Sequence, residues 1–412
     1  MIRYHASWIL PISGPPVRDG WVAVDRDRVV SYGPAGYSPP DLGPALQLDL
    51  GHVAIMPGLV NAHTHLELSY LRGQAPAASS FVAWIRGVMA ARRQYSDPNA
   101  PVILDAVDRG IAEAVRSGTA IVGDISNTLV TFDRVARSPL AAVIFYELIG
   151  FRVPDPNAVV ARARQQLAAL APTDRVRGSL AAHAPYSVAP GMLQAIRHVL
   201  DHEPFAICSV HLSESVEEIE FILSGGGPWR ELLGQLDVWD AAWAAPGVSP
   251  VQYLDENGFL GERVLAVHGV QMTSADLARL AARGTTLVTC PRSNAHTGAG
   301  RPPIDEFYAS GVRVAVGTDS LASTPDLNLF AELATLRRLA PAVPAAMLID
   351  SATRQGARAL GFDDHYGTLD SGKVARLLAV AVPPGTDDVE EYLVSGIQPE
   401  QTHWIELEAT SV

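Results

Sequence analysis

The sequence predicts an α/β chain: a closed (β/α)8 barrel of the TIM type, with a small β-sandwich domain formed from both chain ends. Three observations predict it. Eight short apolar runs bounded by turn residues alternate with stretches of helical spacing between residues 58 and 365. Several of these runs end on an isolated histidine or aspartate. Both ends of the chain carry short alternating runs punctuated by Gly and Pro. Strand alternating with helix over about three hundred residues calls for a parallel sheet, and eight such units close into a barrel whose active site lies at the C-terminal strand ends.

In chain order, residues 1–57 come first, with Trp21–Val24 and Val29–Tyr32 as strands of the small domain. The barrel strands are expected at Leu59–Ala62, Ala120–Asp124, Ala142–Glu147, Ser179–Ala182, Ala206–Val210, Val264–Val267, Thr285–Cys290 and Val312–Thr318. A helical stretch at Arg354–Gly361 ends the barrel, so residues 58–365 form the catalytic domain. Residues 366–412 return to the small domain, where Gly367–Lys373 turns into a tail strand at Leu377–Val380 that pairs with the head strands. No short internal repeat or low-complexity linker interrupts this order.

Composition narrows the partners. With 412 residues and 48% hydrophobic content, the chain can bury a large core. A formal charge of -13 repels phosphate backbones, which argues against nucleic acid and for a small-molecule substrate. Cys208 and Cys290 both lie in strand-like runs and read as reduced thiols, and Cys208, out of phase with His211, should face the helices. No apolar stretch approaches membrane-spanning length and no leader pattern opens the chain, so the expectation is a cytoplasmic protein with no membrane partner. The oligomeric state stays open, with a homodimer among the options.

The motif Ala62-His63-Thr64-His65 follows the first barrel strand. Side chains alternate along a strand, so His63 and His65 point the same way and can chelate one ion. Alone, a His-x-His pair is weak. Here His183, His211, His268 and Asp319 each stand at the end of a further apolar run.

The segments Pro57–His65, His211-Leu212-Ser213-Glu214, His268-Gly269, Cys290–Asn294 and Gly317-Thr318-Asp319-Ser320 together resemble the amidohydrolase superfamily, in its branch of chlorohydrolases and nucleobase or nucleoside deaminases. The resemblance spans nearly the whole chain. One departure lies in the tail, where Gly372-Lys373-Val374-Ala375-Arg376 stands in place of a Gly-Lys-x-Ala-Asp pattern. Chemistry supports the assignment it implies: His63, His65, His211 and Asp319 offer three neutral nitrogens and a carboxylate. That set suits one divalent metal ion, Zn2+ first, with Fe2+ or Mn2+ as alternatives. A water on such an ion loses its proton near neutrality. Glu214, three residues past His211, is placed to take that proton and deliver it to a ring nitrogen or a leaving group. His268 holds the water or polarises the tetrahedral centre, and Asp319 combines ligation with proton handling. Barrel relatives with two bridged metals use a carboxylated interior lysine, whereas the single lysine here, Lys373, lies in the tail, which implies a mononuclear site.

Substrate contacts come from the mouth. His183 is implied by the resemblance. Glu67, two residues past His65, is a candidate acceptor for ribose hydroxyls. Phe81 and Trp84, three apart on one helix face, either stack on a base or pack in the core. Arg152 and Arg292 are candidate partners for an anionic group, and Ser320 adjoins Asp319. The long connection between His211 and Val264, with Gly225–Trp229, is a candidate cover over the mouth. The pattern His63–Ser69 with Phe81, Trp84 and this loop most resembles aminodeoxyfutalosine deaminases of the menaquinone route, which turn a 6-aminopurine nucleoside into its 6-oxo form with release of ammonia. Alternatives are deamination of adenosylhomocysteine, methylthioadenosine, guanine or a pterin, and hydrolysis of an amide or carbon–chlorine bond. A non-catalytic zinc-binding scaffold is the alternative of another class, and Glu214 argues against it.

Overall fold

Runs without a polar face must bury both sides, and the chain does this by laying strands between helices and a filled interior. The computed structural model describes residues 1–37, 39, 43–203 and 206–406, so the end of the expected tail segment, 407–412, lies outside the described residues. The head contributes β1 (Ile2–Ile9), β2 (Val17–Asp25), β3 (Arg28–Pro34), β4 (Leu46–Asp49) and β5 (Val53–Pro57). Eight barrel strands follow: β6 (Leu59–Thr64), β7 (Thr119–Ser126), β8 (Ala141–Leu148), β9 (Val176–Ala182), β10 (Cys208–Leu212), β11 (Val264–His268), β12 (Thr286–Thr289) and β13 (Arg313–Val316). The tail adds β14 (Leu377–Ala381) and β15 (Thr402–Trp404).

Each barrel strand pairs in parallel with the next in chain order, from β6 to β13. Side chains close the seam between the first and last strands. The Asn61 amide donates to Thr318 Oγ1 (2.7 Å) and its oxygen accepts from the Thr318 N–H (3.0 Å), while the Asp319 N–H reaches the His63 carbonyl (3.0 Å). Gly317 permits this approach, since a Cβ there would stand 2.7 Å from the His63 carbonyl oxygen. Val60, Ile207, Leu265, Val267 and Val288 fill the interior with Leu360 and Phe362, whereas Cys208, Val210 and Leu212 pack toward the helices.

The two chain ends form one continuous seven-stranded sheet, ordered β15-β14-β5-β1-β2-β3, with β4 also on β1. Antiparallel pairing of β14 with β5 joins tail to head. Alternation gives this pair two jobs: Val53, Ile55, Leu377 and Ala379 face the sheet's own core, and Ala54, Met56, Leu378 and Val380 face the main core. Arg376, where the tail pattern departs, stacks its guanidinium 3.8 Å over the Trp404 ring. Among the described residues no helix is long and apolar enough to cross a membrane.

Candidate active site

The C-terminal ends of β6, β10, β11 and β13 converge on one buried cluster. His63 Nε2 and His65 Nε2 stand 3.2 Å apart, and Asp319 Oδ1 lies 3.4 Å from His65 Nε2 and 3.8 Å from His63 Nε2. The His211 and His268 rings are centred 5.0 and 5.6 Å from the His63 ring. Burial holds His63 well below the usual imidazole range and takes His268 to about 3, so these rings are neutral and offer lone pairs. His211 donates from Nδ1 to the His183 carbonyl (2.8 Å), which leaves its Nε2 lone pair free for the centre. Buried neutral nitrogens crowded against a carboxylate, with no cationic side chain among them, fit a divalent cation.

Strain marks the same strand ends. Ser213, His268 and Asp319, past or at the ends of β10, β11 and β13, have φ of 52, 81 and 61°. Left-handed backbone costs a side-chain-bearing residue about 1 kcal/mol or more, so local partners must enforce it. The Glu218 carboxylate does so at β10, accepting the Ser213 and Glu214 N–H groups at 2.9 Å each from the first turn of the helix Val216–Ser224. The turn swings Glu214 into the cavity, where its Oε2 lies 3.6 Å from His268 Nε2. Burial, then the nearby Asp319, push the Glu214 carboxyl well above the usual carboxylate range. Two residues that sequence reasoning passed over orient the rest. The Asn294 amide donates to His268 Nδ1 (2.9 Å), which leaves the Nε2 hydrogen facing Glu214, and Ser293 donates to Asp319 Oδ2 (2.5 Å). Both stand in the Cys290–Asn294 motif directly after β12, and that position was the available signal.

A cavity of about 530 Å³ opens over this cluster. Phe81 and Trp84 line it from the helix Phe81–Arg92, and Trp229 and Leu232 from the helix Gly227–Gln235 inside the long connection between β10 and β11. Tyr186 stacks on Trp229 at 3.7 Å, fixing that wall. His183, Arg152 and Ser320 also line the cavity; Arg152 donates to the Asp237 carbonyl (2.6 Å) and the Ser320 N–H to Asp319 Oδ1 (2.8 Å).

Glu67 and Arg292 are not brought to the cavity. The strand alternation that would aim Glu67 beside His65 stops at Thr64, where the tight turn Leu66–Leu71 begins. Glu67 instead accepts from Ser126 Oγ (2.6 Å), the Asn127 and Thr128 N–H groups (3.1 Å each), Thr128 Oγ1 (2.8 Å) and Arg92 (3.3 Å). Arg292 clamps Asp326 with two bonds of 2.8 and 2.9 Å and lies 3.7 Å from buried Glu332. The polar wall is supplied by Glu147, Asn127 and Arg92. Burial alone would raise the Glu147 carboxyl, but His183, His211 and His65 beside it outweigh burial and hold it below the usual carboxylate range.

Comparisons with known proteins agree with this geometry. The sequence profile of the amidohydrolase family matches residues 54–408. A 5-methylthioadenosine/S-adenosylhomocysteine deaminase of Moorella thermoacetica is 30% identical over 403 residues, covering 94% of this chain and 88% of its own. An aminodeoxyfutalosine deaminase of Deinococcus radiodurans is 33% identical over 316 residues, covering 74% and 73%. The crystal structure of an adenosine deaminase from Xanthomonas campestris with bound zinc superposes with a TM-score of 0.83 at 27% identity, covering 97% of this chain and 90% of that one. Strand-end histidines, a buried carboxyl beside them and these likenesses lead to one conclusion: the chain belongs to the amidohydrolase family, as a hydrolytic deaminase acting on a carbon–nitrogen bond.

Proposed function

We propose that the chain deaminates a 6-aminopurine nucleoside with an apolar extension on its sugar, of the aminodeoxyfutalosine kind, and releases ammonia. The observation that carries this reading is Glu214, a buried carboxyl 3.6 Å from His268, at the floor of an aromatic-walled cavity. His63, His65, His211 and Asp319 would hold one divalent cation, Zn2+ first. When bound, the ion supplies a water whose pKa is lowered toward neutrality. With that ion bound, Glu214 would deliver its proton to the ring nitrogen next to the reacting carbon, and its carboxylate would then be free to accept the next one. The His268 Nε2 hydrogen, fixed by Asn294, stabilises the oxygen as the tetrahedral centre forms. Asp319 would relay the second proton to the departing amine.

The walls support the substrate class. Phe81, Trp84, Val88, Trp229, Leu232 and Leu233 form an apolar surface suited to a thioether or aryl substituent. The methylthioadenosine and adenosylhomocysteine readings share this wall. A carboxylate on the extension would meet Arg152 or Arg92, which line the same cavity. Ammonia release by the zinc-loaded protein should be measured on aminodeoxyfutalosine, methylthioadenosine, adenosylhomocysteine, adenosine, guanine and a pterin. The expected result is highest kcat/KM on adenine nucleosides with apolar extensions. Turnover of guanine or the pterin alone overturns the reading.

A further inference from the structure

We infer that Glu147, paired with His183, reads the sugar by accepting hydrogen bonds from its vicinal hydroxyls, an inference that rests on the nucleoside reading above. Glu147 stands near the end of β8, buried, on the cavity wall. Its Oε2 accepts from the Asn127 amide at 2.8 Å. Its Oε1 is buried and has no hydrogen-bond donor among the described residues. The nearest candidate, His211 Nδ1, is 3.6 Å away and has already given its hydrogen to the His183 carbonyl at 2.8 Å.

His183 lies across from it, half-buried on the same cavity wall. His183 Nδ1 lies 2.6 Å from Ser187 Oγ, which is itself 3.2 Å from the Ala184 carbonyl. Ser187 thus engages Nδ1, which leaves Nε2 as the ring's remaining polar atom. A ring nitrogen of His183, one of His211 and a carboxylate oxygen of Glu147 lie within 4.8 Å of one another. This trio does not make a second cation site, because His211 turns a hydrogen toward it and only two ligands remain.

A carboxylate oxygen has two lone pairs, so the buried and unpaired Glu147 Oε1 calls for donors from a ligand. A 9-substituted adenine offers its only donor at the reacting amine, which belongs at the far side with Glu214. The two hydroxyls on adjacent carbons of a ribose supply the missing donors. Asn127 and Arg92 keep the carboxylate in place, since Arg92 donates to Asn127 Oδ1 at 3.1 Å and so commits the Asn127 amide hydrogens to Glu147. Glu67, the other carboxylate in the region, already accepts five hydrogen bonds and has no capacity for a sugar.

The test compares methylthioadenosine with its 2′,3′-dideoxy analogue, in the zinc-loaded wild-type protein and in Glu147→Gln. A site built for hydroxyls leaves its acceptors unpaired when they are missing, so wild-type kcat/KM should fall on the order of 100-fold on the dideoxy compound. In Glu147→Gln the Asn127 amide captures the glutamine oxygen and turns its NH2 to the cavity, so that ratio should shrink to about fivefold or less, with zinc content retained. A wild-type ratio preserved in the variant overturns the inference, as does a wild-type protein indifferent to the hydroxyls. If the glutamine protein does not fold, Glu147→Asp, which keeps the charge and withdraws the oxygen, serves the same comparison. Absence of ammonia from every adenine nucleoside with wild-type protein overturns the nucleoside reading and this inference together, and is distinct from a change in ratio.

Discussion

The floor of the cavity and its walls are held by different means. On the floor, His63, His65, His211, His268 and Asp319 sit at strand ends in a closed barrel, where hydrogen-bond register and three left-handed residues leave each side chain one direction. The walls come from the helices Phe81–Arg92 and Gly227–Gln235, whose positions depend on aromatic packing between segments far apart in the chain, as in Tyr186 on Trp229. A floor fixed by the backbone keeps one chemistry, and walls fixed by packing can be refitted to different substrates. The contrast predicts that floor substitutions change kcat or ion affinity, while wall substitutions change KM and substrate ranking.

The largest effect should come from Glu214→Gln. The amide keeps the shape and the Glu218 contacts to the backbone, but carries no exchangeable acid, so kcat should fall by about 10²–10⁴-fold with KM nearly unchanged. Zinc stoichiometry by atomic absorption should stay at the wild-type value. A variant within tenfold of wild-type kcat would erase the distinction between floor and walls at its strongest point.

Ser293→Ala probes the support beneath the floor. Among the described residues the Ser293 hydroxyl bonds Asp319 and Ser323, so its loss frees the Asp319 carboxylate to rotate without altering the cavity walls. Zinc affinity, read by competition with a chelator, should weaken by about tenfold, the low end for a residue that orients a ligand. Ser323 Oγ, 3.3 Å from the same oxygen, retains part of the restraint. Unchanged affinity together with altered substrate ranking would place Ser293 with the walls.

The same contrast explains what was legible in the sequence. All eight barrel strands were, because an apolar run bounded by turn residues has few ways to bury both faces, and the tail strand paired with the head as its pattern indicated. The convergence of His63, His65, His211 and Asp319 followed from alternation and from their common place at strand ends. Glu67 shows where that logic stops: period two holds only while the strand lasts, and the strand ends at Thr64. Glu147 closes the run Ala142–Glu147 just as His211 closes its own, yet a lone carboxylate there gives no clue to its neighbours until Asn127, His183 and Arg92 are seen around it. Trp229 meets Phe81 across 6.1 Å only because two long connections fold over the same mouth, and no local periodicity encodes that meeting.

Arg152→Ala has the smallest expected effect and decides how far the walls read charge. Its guanidinium donates to the Asp237 carbonyl at 2.6 Å and lies 3.8 Å from the Asp237 carboxylate, which is almost fully exposed. An exposed pair of this kind contributes about 0–1 kcal/mol, so Tm should barely move. Asp237 follows the helix Gly227–Gln235, and losing the bond loosens that wall for every substrate alike. If Arg152 serves the wall only, KM should rise by about the same few-fold factor on methylthioadenosine and on a carboxylate-bearing nucleoside. If it also meets substrate charge, the carboxylate-bearing compound should lose about tenfold more than the uncharged one, because a guanidinium already half-engaged can still turn its free N–H edge to an anion. The ratio of the two KM changes separates these roles, and equal changes remove Arg152 from the residues that choose the substrate.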